Sequence, residues 1–252
     1  LAWQENEIEA LLQLDHPSLV KILGHGLTDE GCIFIAMELV TGERLDHYLA
    51  RHGRIEQLEA ISIVRTIAEA LAYCHGRDIL HLDLKPQNIV LTDPHVPRLK
   101  VLDFGMAHLR GAMGSLGAAP AGTLAYMAPE QLETGGLRSP GPTLDLYALG
   151  TLFYELLSGQ LPFDALTPME LVHAKMATVA VPIEEVCPEV TAPVAELLRA
   201  LLMTDPARRP GSATVVAERL RGLFFSVLRG AERDEAPRSM GPQRPPTGWT
   251  SR

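Results

Sequence analysis

Residues 81–88 of the chain read HLDLKPQN, and this polar stretch directly follows a pattern typical of an apolar helix. Asp83, Lys85 and Asn88 bring a carboxylate, an ammonium group and a carboxamide within six residues. Polar groups are costly to bury unless they are paired with other groups. The stretch therefore predicts a polar site set into an otherwise buried part of the fold.

A second acidic motif, DFG at residues 103–105, begins fifteen residues after Asn88. It follows two apolar residues, which predict a strand that ends at the carboxylate. Magnesium prefers oxygen ligands and usually keeps several waters. Asn88 and Asp103, together with the phosphates of a nucleotide, are therefore candidate ligands of a magnesium site, and Asp83 remains available for another role.

Hydrophobic periodicity places these motifs between a strand-containing part and a helical part. Short apolar runs bounded by turn residues predict two adjacent strands at 19–23 and 32–39. Apolar residues at intervals of three and four predict an amphipathic helix over 56–75. Further strands are predicted at 89–91 and 99–101, and helices at 5–14, 143–158, 168–176, 191–203 and 212–228. The fold class is therefore predicted as α+β, with a mainly helical second half.

A third motif, APE at residues 128–130, completes a set. HLDLKPQN, DFG and APE, in this order and at these separations, resemble the signature motifs of eukaryotic-like (Hanks-type) serine/threonine protein kinases over about residues 5–228. The resemblance implies a bilobal kinase fold with a partial N-terminal β lobe at 1–40 and a helical C-terminal lobe at 41–228. Residues 229–252 are predicted to be a disordered tail or linker, because glycine, proline and charged residues replace the apolar periodicity.

The resemblance implies roles for the residues of the first two motifs. Asp83 would be the catalytic base that accepts the proton of the substrate hydroxyl, and Lys85 would neutralise charge on the transferred phosphoryl group of ATP. Asn88 and Asp103 would hold Mg²⁺ against the nucleotide phosphates. Lys85, together with Thr123 in the GTLAYMAPE stretch, resembles serine/threonine rather than tyrosine kinases. ATP and Mg²⁺ are thus the implied cofactors, and a protein is the implied substrate.

Residues before the first motif match the nucleotide site of this family. Residues 38–40 resemble the hinge that binds adenine through backbone groups, with Glu38 and Val40 as its ends and Met37 at the back of the pocket. Glu7 matches the helical glutamate that pairs with a phosphate-binding lysine.

Residues after the first motif match supporting roles. Glu130 is expected to pair with Arg209, and Asp145 to hydrogen-bond the backbone of the catalytic loop. Leu82 stands where many members of the family have an arginine that binds a phosphorylated activation loop. We therefore hypothesise that activity of the complete parent protein depends less on phosphorylation of that loop than is common in the family, with Ser115 and Thr123 as the hydroxyls to test.

The resemblance leaves three functions open. The resemblance implies a glycine-rich loop and a phosphate-binding lysine before Glu7, and the chain as given, which starts at Leu1, is expected to lack both. The first expectation is a truncated piece of an active kinase, seen without its first strands, which on its own is very weak or inactive. The second is a pseudokinase that acts as an interaction module, and the third is a small-molecule phosphotransferase of related fold, against which the APE motif argues.

Composition argues against a nucleic-acid-binding protein, a membrane protein and a cysteine-based metal or redox site. A formal net charge of −9 gives no attraction for nucleic acids or anionic membranes. No stretch reaches the ~18 apolar residues that a membrane span needs. The three cysteines, Cys32, Cys74 and Cys187, form no CxxC pair. A cytoplasmic protein is expected, with further domains possible in the parent protein.

Several residues have simpler interpretations. His81 is interpreted as a structural residue of the loop, because no second histidine stands at metal-ligand spacing. The glycine-rich stretch 111–122 lacks GxGxxG spacing and is interpreted as an activation loop. Leu11, Ile22 and Phe104 are predicted core residues, and the resemblance implies that with His81 they stack into a spine between the lobes.

Overall fold

The structure is a computed structural model that describes residues 8–93, 98–104, 121–132, 140–163 and 165–235. Its first described residues, 8–12, are helical and are followed by an antiparallel hairpin of β1 (Ile22–Leu27) and β2 (Ile33–Met37). A second antiparallel sheet has the order β3 (Glu43–Arg44), β4 (Ile89–Asp93) and β5 (Arg98–Val101).

The segment before β1 joins the two sheets. Leu19 pairs in parallel with Val101, the last residue of β5. The Val20 amide donates to the Val101 carbonyl at 3.0 Å, and the Val101 amide donates to the Ser18 carbonyl at 2.8 Å. The end of β5, where the DFG motif begins, is thereby held against the N-terminal part of the chain.

Helices make up most of the rest of the described chain, and those of ten or more residues were predicted from the sequence. The helices are α1 (Leu45–His52), α2 (Gln57–His75), α3 (Ala121–Leu124), α4 (Pro142–Ser158), α5 (Pro168–Ala177), α6 (Ile183–Val186), α7 (Ala192–Leu201) and α8 (Ala213–Glu235). None of the helices in the described ranges is both long and apolar enough to cross a membrane.

The core of the helical part is built on α2 and α4. Both helices are buried along most of their length, and α2 packs against both α4 and α8. The Glu56 carboxylate caps α2 by accepting from the amides of Leu58 and Glu59. Gly159 ends α4 at φ 71°, a conformation that glycine adopts without steric cost. These local signals give both helices the bounds that their apolar periodicity predicted.

Strand β1 differs from its prediction. It begins at Ile22 and continues through Gly24 and Gly26, which the sequence indicated as turn residues. A Cβ atom on Gly26 would lie 2.6 Å from the ring of Phe34. Glycine therefore leaves room for that ring, and the turn follows later, where Thr28 and Cys32 exchange hydrogen bonds.

The end of α8 corrects the predicted start of the tail at residue 229. The helix continues through Glu235. Alanine, glutamate and arginine in residues 229–235 favour a helix even though the apolar periodicity has ended. The remaining residues of the predicted tail, 236–252, lie outside the described residues.

Candidate active site

Residues 81–88, which we call the catalytic loop after the resemblance, are held in place by a buried carboxylate on α4. Asp145 accepts hydrogen bonds from the amides of His81 (2.9 Å) and Leu82 (2.8 Å), and its Oδ2 lies 2.8 Å from Nε2 of His75. Burial alone would raise the pKa of Asp145, but the hydrogen bond and charge of His75 outweigh it, so the pKa is lowered. The ionised carboxylate therefore fixes the backbone just before Asp83.

Leu82 occupies an unusual backbone conformation in this loop. Its φ is 63°, in the left-handed region that side chains rarely adopt. The bond from its amide to Asp145 holds it there, and its half-buried side chain packs against the core. The position at which the resemblance implies an arginine is thus occupied by an apolar side chain that packs against the protein.

Asp83 and Lys85 form an ion pair at the surface of the loop. Nζ of Lys85 lies 2.7 Å from Oδ1 of Asp83 and donates to Oγ1 of Thr123 at 3.0 Å. The Asp83 and Lys85 side chains are 16% and 18% exposed, so both reach solvent. A carboxylate, an ammonium group and a hydroxyl from two distant segments are thereby brought together.

Asn88 connects this group to the DFG motif. Its Nδ2 donates to the Asp83 carbonyl at 2.7 Å and to the Asp83 carboxylate at 3.2 Å. The backbone carbonyl of Asn88 accepts a hydrogen bond from the amide of Leu102 at 2.8 Å, and Leu102 is the residue before Asp103. The carboxamide nitrogen of Asn88 donates to Asp83, so the carboxamide oxygen, Oδ1, points away from Asp83. Oδ1 of Asn88 and the carboxylate of Asp103 are both hard oxygen donors. This donor set fits a magnesium ion.

His81 is buried behind the loop. Its Nδ1 accepts from the Asp83 amide at 3.3 Å, and its ring lies 4.4 Å from that of Phe104. Burial lowers the pKa of His81, so the ring is neutral. Phe104 in turn lines a small cavity with Ile22 and Met37.

Within the described ranges, no cluster of three or more histidine, cysteine or acidic side chains could hold a metal ion.

Glu38 lies where the hairpin leads into the helical part. Its amide donates to the Lys21 carbonyl at 2.9 Å, and its carboxylate accepts from the Lys21 amide at 3.0 Å. Nζ of Lys100, on β5, lies 2.6 Å from the same carboxylate oxygen, and this hydrogen bond lowers the pKa of Glu38. Val40 follows in a stretch without regular secondary structure.

Residues 121–132 run past the catalytic loop and are anchored to helices. Glu130 forms a two-point ion pair with Arg209 at 2.6 and 2.8 Å. The Arg209 side chain is 0% exposed and also donates to the carbonyls of Met203 and Thr143. A small depression between this segment and the loop is lined by Asp83 and Thr123, among others.

Two lysines of the site region were missed by the sequence analysis. Lys100 joins β5 to Glu38, and Lys175 donates from α5 to the carbonyls of Ala125 and Met127. The only signal for Lys175 is a charged residue among the apolar positions of its helix pattern. Neither lysine belongs to a motif, so only the folded chain reveals their partners.

Some predicted positions lie outside the described residues. They are Glu7, Gly105, Ser115 and residues 111–120 of the predicted activation loop.

Comparison with curated proteins finds serine/threonine kinases. The serine/threonine-protein kinase pkn3 of Myxococcus xanthus is 31% identical over 245 residues, which are 93% of this chain and 43% of that protein. PrkC, a serine/threonine-protein kinase of Bacillus subtilis (strain 168), is 36% identical over 167 residues, which are 63% of this chain and 24% of that protein. A putative CBL-interacting protein kinase 27 of Oryza sativa subsp. japonica is 35% identical over 227 residues, 88% of this chain and 52% of that protein. The chain thus spans from about a quarter to about half of the length of these relatives.

Comparison with solved structures supports the same assignment. The crystal structure of Rad53 1-466 in complex with AMP-PNP matches with a TM-score of 0.72 and 27% sequence identity, covering 89% of this chain and 55% of that one. The predicted α+β kinase fold is therefore confirmed. The family model described as protein kinase domain matches residues 3–220. The resemblance seen in the three motifs is confirmed, and the chain belongs to the protein kinase family.

Proposed function

We propose that the protein phosphorylates serine and threonine hydroxyls of protein substrates with ATP as the phosphoryl donor. The contact that carries this proposal is the bridge from Lys85 to both the Asp83 carboxylate and the Thr123 hydroxyl. It brings an acceptor for a proton and a fixed positive charge beside the depression between the catalytic loop and residues 121–132. A substrate hydroxyl seated there would meet both groups.

Asp83 is the base in this proposal. Its Oδ1 is engaged by Lys85, and its Oδ2 receives a long hydrogen bond from Asn88. As the hydroxyl oxygen of the substrate attacks the γ-phosphorus of ATP, the Asp83 carboxylate accepts its proton and the bond to ADP breaks. Such base assistance contributes about 10² to 10⁴ in rate. Lys85 offsets the negative charge that collects on the transferred phosphoryl group.

The nucleotide site is proposed from the two elements on either side of the loop. Asn88 and Asp103 would hold magnesium, which when bound neutralises the phosphates of ATP. The backbone between Glu38 and Val40 would bind the adenine ring, and Met37 would limit the back of its pocket. Support comes from the hydrogen bonds that fix Asn88 and Glu38. The matched structure of Rad53 contains AMP-PNP, an ATP analogue.

Phosphoryl transfer from radiolabelled ATP tests the proposal. The whole protein is incubated with magnesium and with a random library of peptides that contain serine and threonine. We expect transfer by the wild-type protein and a loss of at least about 100-fold in Asp83→Asn, which keeps the shape of the side chain but removes the base. The exposed Asp15→Asn substitution is the matched control and should leave the rate unchanged.

Two outcomes would count against the proposal. Wild-type protein that binds ATP but transfers no phosphate to peptides or to itself would favour a non-catalytic interaction module. Transfer that survives Asp83→Asn would exclude Asp83 as the base.

A further inference from the structure

Lys175 on α5 is a buried cation. The residue is 1% exposed, and an ammonium group is costly to bury unless it is paired. In the part of the chain that the structure describes, no carboxylate pairs with it. Instead, its Nζ donates to the carbonyls of Ala125 at 2.5 Å and Met127 at 2.7 Å. The cost of burying this lysine is thus offset by two backbone contacts in a single segment.

Two aromatic rings and a second cation, Arg209, lie close to Lys175. Its Nζ lies 5.0 Å from the centre of the Tyr147 ring and 6.0 Å from that of Phe163. The guanidinium of Arg209 lies over the same Tyr147 ring at 4.9 Å and is paired with Glu130. Burial, and then the charge of Arg209, lower the pKa of Lys175 to about 7. A neutral amine still has two N–H groups, which matches the two carbonyls.

The two carbonyls lie at the centre of residues 121–132. Thr123, two residues before Ala125, bonds to Lys85 in the catalytic loop. Glu130, three residues after Met127, is held by Arg209. Lys175 therefore fixes the backbone between the contact with the catalytic loop and the anchor to the helical part. Met127 also lines the depression that contains Asp83 and Thr123.

We propose that Lys175 is a positioning residue for the protein substrate, which keeps residues 121–132 in the conformation that receives a polypeptide beside Asp83. The inference rests on the proposed kinase function and adds to it the residue that shapes the substrate-binding segment. Among the described residues, Lys175 contacts residues 121–132, Tyr147 and Phe163, and none of these is a residue proposed to bind the nucleotide. Its loss should therefore weaken the use of peptide substrate and leave the use of ATP unchanged.

The test compares Lys175→Met with Lys175→Arg in the whole protein. Methionine keeps an unbranched apolar side chain without donors, and arginine keeps donors for both carbonyls. Each variant is assayed on the peptide that the wild-type protein phosphorylates fastest in the library, and separately for ATP hydrolysis without peptide. Tyr147→Phe is the packing control, because the Tyr147 hydroxyl has no hydrogen-bond partner among the described residues.

We expect Lys175→Met to raise the KM for the peptide about tenfold, because the variant loses two hydrogen bonds that hold residues 121–132 in place and each tenfold change corresponds to about 1.4 kcal/mol. The KM for ATP and the rate of ATP hydrolysis should stay within about twofold of wild type, and Lys175→Arg should restore most of the peptide KM. Tyr147→Phe should behave as wild type.

Equal losses of peptide phosphorylation and ATP hydrolysis in Lys175→Met, at unchanged peptide KM, would reduce Lys175 to a packing role and overturn the proposal. If Lys175→Met does not fold, Lys175→Arg decides, and a tenfold rise of its peptide KM overturns the proposal. A wild-type protein that neither transfers phosphate nor hydrolyses ATP would instead contradict the kinase function itself.

Discussion

The pKa of Lys175 makes folding stability depend on pH. The pKa of Lys175 is lowered to about 7 in the folded protein, whereas a lysine of an unfolded chain titrates near 10.4. Between pH 7 and about pH 10.4, Lys175 is therefore protonated in the unfolded chain but neutral in the folded protein. The free energy of unfolding should therefore rise with pH across this window, by up to about 1.4 kcal/mol per pH unit. Below pH 7 both states are protonated, so the full cost of the buried charge is present.

Urea unfolding of wild type and Lys175→Met at pH 7, 8 and 9 measures this effect. Groups other than Lys175 that titrate in the window contribute equally to both proteins and cancel in the difference. Wild type should gain stability relative to the variant at each step in pH. A difference that stays constant would show that the folded protein holds Lys175 charged throughout.

Leu82 leads to a second prediction at the residue scale, which concerns phosphorylation. Its side chain is apolar and packs against the core, so it offers no guanidinium to a phosphate group. We expect Ser115→Ala, in a segment outside the described residues, to keep most of the wild-type rate. Thr123→Ala should reduce the rate, because its hydroxyl accepts from Lys85. The assay is peptide phosphorylation after phosphatase treatment, and a collapse of activity in Ser115→Ala would refute the hypothesis.

At the scale of elements, the close approach of α4 and α7 depends on one glycine. A Cβ on Gly150 would lie 2.7 Å from Cβ of Leu201 and 3.3 Å from Leu202. Gly150→Ala should therefore destabilise the protein by about 1–3 kcal/mol through overpacking. Gly222→Ala on α8 is the matched control, since a Cβ there has no neighbour within 4 Å, and it should stabilise by about 0.5–1 kcal/mol. Urea unfolding compares the two, and equal effects would contradict the packing argument.

The sequence predicted elements whose signals are local. Helix α2 has a capping glutamate and a continuous apolar stripe, and α4 has a glycine at its end. Strand β3 was missed because it has only two residues, Glu43 and Arg44, and exists through pairing with β4. Helix α1 was missed too, although its buried positions Leu45 and Leu49 lie four residues apart. Eight residues are too few for a clear period, so tertiary contacts decide such short elements.

At the scale of the whole molecule, the motifs and two of their supports, Asp145 and the Glu130–Arg209 pair, could be predicted from the sequence, whereas the two lysine supports could not. Asp83, Asn88 and Asp103 occur in fixed local patterns, so the chemistry of the site could be predicted from the order of the motifs. Lys175 contacts carbonyls about fifty residues earlier in the chain, and Lys100 contacts a glutamate about sixty residues earlier. Such contacts depend on how helices and sheets pack, for which one sequence gives no periodic signal.

Lys100 on β5 connects this strand to the N-terminal part of the chain, at the start of the proposed adenine-binding segment. Its Nζ donates to the Leu19 carbonyl at 2.9 Å and to Glu38 at 2.6 Å, so it ties β5 to the start of the proposed adenine-binding segment. Lys100→Met should raise the KM for ATP several-fold, and it should change stability by no more than about 1 kcal/mol, because the pair is partly exposed. Lys21→Met is the control, since Lys21 forms its hydrogen bonds to Glu38 through its backbone and its charge is the smallest of the influences on the pKa of that carboxylate. An unchanged KM for ATP in Lys100→Met, measured by initial rates at saturating peptide, would mean that β2 and its pairing with β1 hold the adenine-binding segment without this lysine.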